Sequence, residues 1–208
     1  MKNKFFNELE LRYPALLSCK EQIISAYDLL RACNDRRGTI FIAGNGGSRA
    51  DADHIAGELM KGFLKKRSLP QEMSNAFKPI PGGEALSELL QGGISAIPLG
   101  FSALSSAIHN DTGLGVDLAQ ELYVLGRAED TLLAISTSGN AKNVYNAAIV
   151  AKVHGMPVVA LTGKTGGRLS ELADVCIRVP ETETYKVQEL HLPVYHAICA
   201  QLEDDLFD

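Results

Sequence analysis

Positive charge is scarce in this sequence. Lys and Arg number 20 against 25 Asp and Glu, for a formal net charge of −5. No basic run is longer than Lys65-Lys66-Arg67. That excludes nucleic-acid binding through a broad basic surface. Cysteine is sparse too: Cys19, Cys33, Cys176 and Cys199 lie far apart, and no C-x-x-C occurs. They read as free buried thiols in a reducing compartment. No run approaches the roughly 20 apolar residues that a membrane span needs. The first residues, Met1 to Glu8, hold no apolar core of signal-peptide length. The expectation is a soluble, cytoplasmic protein with neither a membrane nor a nucleic acid as partner. There is no internal repeat and no low-complexity tract. Two nucleotide signatures are also missing. No G-x-x-x-x-G-K-[ST] occurs, and Gly44-Asn45-Gly46 fails to complete G-x-G-x-x-G because Arg49 holds the last position.

What is present is enough for one domain with a proper core: 208 residues, 46% of them apolar. Residues 3–34 read as helix, with an apolar face that includes Leu9, Leu16, Ile23, Tyr27 and Leu30. Pro14 interrupts or restarts it. Short apolar runs then alternate with helical patterns. Strands are expected at Thr39–Ala43, Ile94–Pro98, Thr131–Ile135, Pro157–Thr162 and Val175–Val179. Helices are expected after the first strand to about Phe63, from about Lys142 to His154, around Leu169–Ala173, and from Glu183 to Leu206. Strands that are apolar throughout and separated by helices indicate a parallel sheet covered on both faces. The fold class is α/β: a doubly wound, about five-stranded parallel sheet flanked by helices, in a single domain spanning 1–208. Residues 68–93 break this rhythm with Pro70, Pro79, Pro81 and Gly82-Gly83. They read as a surface insertion with a helical scrap at Glu84–Gln91.

The first strand ends in Gly44-Asn45-Gly46-Gly47-Ser48, and a helix follows. A glycine-rich loop that opens a helix lets backbone N–H groups approach an anion, and the helix terminus adds a favourable partial charge. On that helix His54 and Glu58 stand four residues apart and share a face. Thr131–Ile135 ends in Ser136-Thr137-Ser138-Gly139-Asn140. Alone this loop could be an N-cap and a turn. Two such loops in one sheet point to a ligand, because ligands in this architecture sit at the carboxyl ends of the strands. Thr162-Gly163-Lys164-Thr165-Gly166-Gly167 follows the next strand in the same way. The last helix carries Gln188, Glu189, His191 and His196. With His54 and Glu58 these offer imidazole and oxygen donors to a divalent metal. Periodicity does not choose between His191 and His196. Gln188 and His196 are separated by about 12 Å of helical rise.

These motifs resemble the sugar isomerase (SIS) domain family, and within it the phosphoheptose isomerases, from about Arg37 to Leu206. The resemblance rests on G-N-G-G-S (Gly44–Ser48), H-x-x-x-E (His54, Glu58), Asn110-Asp111, I-S-T-S-G-N (Ile135–Asn140), L-T-G-K-x-G-G (Leu161–Gly167), I-R-V-P (Ile177–Pro180) and Q-E-x-H-x-x-x-x-H (Gln188–His196). It implies a SIS-domain, flavodoxin-like architecture and a homotetramer with active sites at subunit interfaces. It also implies one zinc ion per subunit, held by His54, Glu58, Gln188 and His196. Substrate contacts would fall on Asn45, Gly46, Gly47, Ser48, Glu58, Asn110, Asp111, Ser136, Thr137, Ser138 and Gln188. Glu58 would act as the base and His196 as the acid.

The implied activity is aldose–ketose isomerisation of a phosphosugar, sedoheptulose 7-phosphate to glycero-manno-heptose 7-phosphate, through an enediol. The alternatives are an isomerase of another phosphosugar, or a non-catalytic SIS-domain binding protein that associates with a replication initiator or senses a sugar phosphate. Some positions depart from the family pattern. Ala141 replaces a serine, Gly62 stands where an arginine is common, and Thr184-Tyr185-Lys186-Val187 precedes Gln188.

Overall fold

The structure is a computed structural model and describes residues 3–100 and 102–207. Five parallel strands form one sheet: β1 (Ile40–Ala43), β2 (Ala96–Pro98), β3 (Thr131–Ser136), β4 (Val158–Thr162) and β5 (Val175–Arg178). Their order is β2-β1-β3-β4-β5. β1 pairs on both edges, with Ile40 beside Ala96 on one side and Thr131 on the other. Every residue of β1, β3 and β4 is buried. That is why these strands read as unbroken apolar runs rather than as alternating ones.

Alternate residues of each strand feed two cores. Ile40, Ile42, Leu133, Ile135, Val159 and Leu161 pack with α1 (Lys4–Arg12), α2 (Lys20–Asp35), α3 (Gly47–Met60) and α9 (Thr184–Leu206). Phe41, Ala43, Leu132, Ala134, Val158 and Ala160 pack on the other face. There they meet α7 (Asp117–Leu125) and α8 (Lys142–Val153). The crossover after β1 therefore runs to one face and the crossover after β3 to the other. The strand order reverses between β1 and β3, and this is the position at which doubly wound sheets open a ligand crevice.

The expected N-terminal helix over residues 3–34 is divided. α1 ends at Arg12, Pro14 opens a 3-10 turn over Pro14–Cys19, and α2 starts at Lys20. Proline accounts for the break, since it has no N–H to continue the ladder. Three helices have no counterpart in the sequence reading: α4 (Gln71–Phe77), α6 (Ser102–Asp111) and α7. The expected scrap after Pro81 is α5 (Gly83–Leu89).

Residues 68–93 leave the body of the protein through a closed neck. Ser68 and Gln91 form an antiparallel bridge, and Gly92 N donates to Arg67 O at 2.7 Å. Arg67 is almost fully buried under this neck. Its Nε donates to Glu203 Oε1 at 2.8 Å, and its two terminal nitrogens donate to the carbonyls of Leu59 and Glu58 at 2.6 and 2.8 Å. Those carbonyls belong to the last turn of α3, where a helix has no acceptors' partners of its own. Glu203 also accepts from the N–H groups of Phe63 and Leu64, at 2.8 and 2.7 Å. One buried ion pair thus ties together the end of α3, the segment after it and α9.

Candidate active site

The loops after β1 and β3 meet at the reversal point. They enclose a cavity of about 310 Å³ lined by Asn45, Gly46, Gly47, Ser48, Ser136, Thr137, Ser138, Ala141, Thr184 and Gln188. Ser48 and Ser136 are buried in its wall. The N–H groups of Gly47 and Ser48 are in the first turn of α3, which leaves donors free for an anion. Asn45 and Asn143 join the two loops through a reciprocal amide pair, with bonds of 2.8 and 2.9 Å. Gly139 takes φ 67°, and a Cβ there would run into the Gly166 carbonyl, so only glycine lets the second and third loops touch. At Gly47 a Cβ would stand 2.5 Å from Gln188 Nε2. The absence of a side chain there is what admits Gln188 to the cavity.

The contacts between α3 and α9 advance together along both helices. Gln188 meets Gly47, Tyr195 meets His54, and Glu203 meets Phe63. The two helices run parallel, and the candidate side chains are strung along their seam. His54 lies about 10 Å beyond Gly47, at 1.5 Å of rise per residue. Its Nε2 is 3.1 Å from Glu58 Oε1, and its Nδ1 is 3.0 Å from the Tyr195 hydroxyl. The His196 ring stands edge-on to that of His54, with centroids 5.0 Å apart. His196 Nε2 is buried without a hydrogen-bond partner. Burial lowers its pKa, and nearby His54 adds to the shift against the opposing pull of Glu58. The shift favours the neutral imidazole, which can donate an N–H to a carbonyl oxygen.

The structure separates the two histidines that periodicity left open. His191 points into the core and is fully buried. Burial depresses its pKa from the ordinary value of 6.5 to about 4, against a smaller opposing effect of the Thr162 backbone. Between those values the unfolded chain holds a proton that the folded chain refuses. Stability therefore falls as the pH drops through this window, by roughly 3 kcal/mol in all. Urea unfolding at pH about 7.5 and about 4.5 checks this. The His191→Leu variant is expected to lose less stability than the wild type over that interval. An equal loss in both proteins would show that His191 is not the group responsible.

Two expected groups are not brought together. Gln188 lies against Gly47, at the far end of the seam from His196, and His196 lines a different cleft with Phe63, Leu64 and Arg12. Among the described residues no three His, Cys, Asp or Glu side chains are grouped as a metal site. Asn110 and Asp111 end α6, where both are exposed and bonded to each other at 2.7 Å. They do not line the cavity of the single chain. The sequence reading missed Asp51 and Tyr195. Tyr195 donates to Asp51 Oδ1 at 3.2 Å. Asp51 stands three residues before His54, on the same helical face, and that spacing was the one available signal.

Known proteins resemble this chain over most of its length. The model of the SIS domain matches residues 5–163. The phosphoheptose isomerase of Rhodospirillum rubrum is 36% identical over 188 residues, which cover 90% of this chain and 88% of that protein. That of Helicobacter pylori is 34% identical over 205 residues, covering 98% and 94%. The solved structure of the phosphoheptose isomerase from Neisseria gonorrhoeae superimposes with a TM-score of 0.72 at 29% identity, covering 95% of this chain and 98% of that one. With its reversal-point cavity, its two glycine- and hydroxyl-rich loops and this degree of likeness, the chain belongs to the SIS domain family, among the phosphoheptose isomerases.

Proposed function

We propose that the protein interconverts a ketose phosphate and an aldose phosphate, with sedoheptulose 7-phosphate as the substrate. The observation that carries this reading is the seam itself. It has an anion cavity at one end and a His–Glu–His cluster about 10 Å along α3 from Gly47. A sugar phosphate bound by its phosphate has to lay its carbon chain along that line. Ser136, Thr137 and Ser138 hold the phosphate, together with the N–H groups that open α3. Glu58 takes a proton from C1 of the ketose; the C–H electrons form the C1–C2 double bond of an enediol, the C2–O2 π bond breaks, and O2 takes a proton from His196. His196 then takes the proton from O1 as the C1–O1 π bond forms, and the electrons of the C1–C2 double bond take the proton back from Glu58 at C2. Reversing these steps regenerates the ketose.

The zinc ion that the resemblance implies suits this donor set of two imidazoles and oxygen ligands. The buried, unpartnered Nε2 of His196 is the structural sign in its favour. His54, Glu58 and His196 are the residues of the implied set that would hold it, since Gln188 lies at the far end of the seam against Gly47, and a bound zinc would polarise the sugar carbonyl. A homotetramer completes this reading, because Asn110 and Asp111 reach a substrate only in a neighbouring subunit's cavity. Light scattering measures that assembly directly.

The test of function is an isomerase assay with sedoheptulose 7-phosphate beside a panel of pentose and hexose phosphates. Turnover of the heptulose well above the rest is the expected result. Preference for a shorter sugar would retain the chemistry and replace the substrate. No turnover of any phosphosugar would remove the enzymatic reading.

A further inference from the structure

A side chain outside the proposed machinery determines how His54 presents itself. Tyr195 is buried between α9 and α3, and its hydroxyl touches two groups. One is Asp51 Oδ1 at 3.2 Å and the other is His54 Nδ1 at 3.0 Å. A phenol has one proton to give, and a carboxylate only accepts. An ordinary tyrosine hydroxyl keeps its proton at neutral pH. With that proton committed to Asp51, the phenolic oxygen is an acceptor toward His54.

We infer that Tyr195, oriented by Asp51, is a positioning residue that fixes His54 in the tautomer protonated on Nδ1, with its Nε2 lone pair turned toward Glu58. The edge-on packing of the Tyr195 and His54 rings, with centroids 5.5 Å apart, holds the same arrangement. A consequence follows at the other nitrogen. His54 Nε2 and Glu58 Oε1 are 3.1 Å apart, and in this tautomer both present lone pairs. Two acceptors at that distance repel unless a cation stands with them. Tyr195 thus turns an i, i+4 pair that would otherwise satisfy itself into a pair that seeks a positive partner. Hydrogen bonding at the second ring nitrogen is how proteins commonly set a histidine to ligate. Without Tyr195 the ring is free to place its proton on Nε2 and donate it to Glu58, which closes the pair.

The test needs no substrate. Nitrogen–proton correlation spectra of the imidazole rings in the metal-free protein report which nitrogen carries the proton. The His54 signals are assigned by their loss in His54→Gln. The wild type is expected to show His54 protonated on Nδ1. Tyr195→Phe keeps the ring packing and removes the acceptor, so the proton is expected to move to Nε2. Asp51→Ala reaches the same end by another route, because it frees the tyrosine proton to face Nδ1. Zinc titration of the same proteins is expected to show affinity about 10–100-fold weaker in Tyr195→Phe. A wild-type His54 protonated on Nε2, alone or on both nitrogens, overturns the inference. So does a Tyr195→Phe protein that keeps both the Nδ1 proton and wild-type zinc affinity.

Discussion

Replacing Glu58 with glutamine is expected to lower kcat by about 10²–10⁴-fold, the usual contribution of a general base. The amide is nearly the same size but cannot take the proton from C1. The fold is expected to survive, because what anchors this residue is its backbone: its carbonyl accepts from Arg67 at 2.8 Å. Its carboxylate makes the 3.1 Å contact to His54 and is largely shielded from solvent. Steady-state kinetics read the loss, and thermal unfolding together with sugar-phosphate calorimetry shows whether structure and binding persist. A kcat within a few-fold of wild type would remove Glu58 as the base. His196→Ala and His191→Ala belong beside it. The first is expected to be impaired in turnover, and the second to act through stability. An inactive His191→Ala with an active His196→Ala would reverse the assignment along α9.

The second large effect concerns stability. Arg67→Met is expected to cost about 3–5 kcal/mol, because it strands a carboxylate in the interior. The side chains of Arg67 and Glu203 are both essentially excluded from solvent. Burial by itself raises the pKa of Glu203. The N–H groups of Phe63 and Leu64 and the Arg67 guanidinium outweigh that and hold it below the ordinary value. Take the guanidinium away and the charge loses its main counterion. The Glu58 carbonyl loses its donor in the same step, and the Leu59 carbonyl keeps only the N–H of Ile94. Adding Glu203→Leu to Arg67→Met is expected to restore part of the loss, because an apolar pair no longer includes a lone charge. Recovery stays partial, since Phe63 and Leu64 then lack their acceptor. Urea unfolding of the single and double variants decides. A cost below about 1 kcal/mol for Arg67→Met would mean that water reaches the pair.

The sheet was legible because its strands lie between two cores. Ile40–Ala43, Thr131–Ser136 and Val158–Thr162 have no exposed edge in their pattern to confuse with anything else. The helices of residues 70–130 were harder. α4 buries no residue, so no apolar period marks it. Gly100, Gly113 and Gly115 all take positive φ and cut α6 and the start of α7 into pieces too short for a periodic signal. The loops after β1 and β3 that line the cavity showed in the sequence because glycine and hydroxyl clusters directly after strands have a local cause. The Asp51–Tyr195–His54 chain did not, since its contacts cross 144 and 141 residues. Spacing on one helix reveals which residues share a face. It says nothing of which face of a distant helix will meet them.

The neck at Ser68 and Gln91 gives the segment beyond it an unusual freedom. Its two ends are already side by side, held by the bridge and by the Gly92–Arg67 bond. Length added or removed between them changes only the entropy of a closed loop, about 0.6 kcal/mol for each doubling. Neither the sheet nor the α3–α9 seam feels such a change, because Arg67 and Glu203 lie on the body side of the closure. The excursion is thus a place where lineages can diverge in size and surface while the chemistry beneath stays fixed.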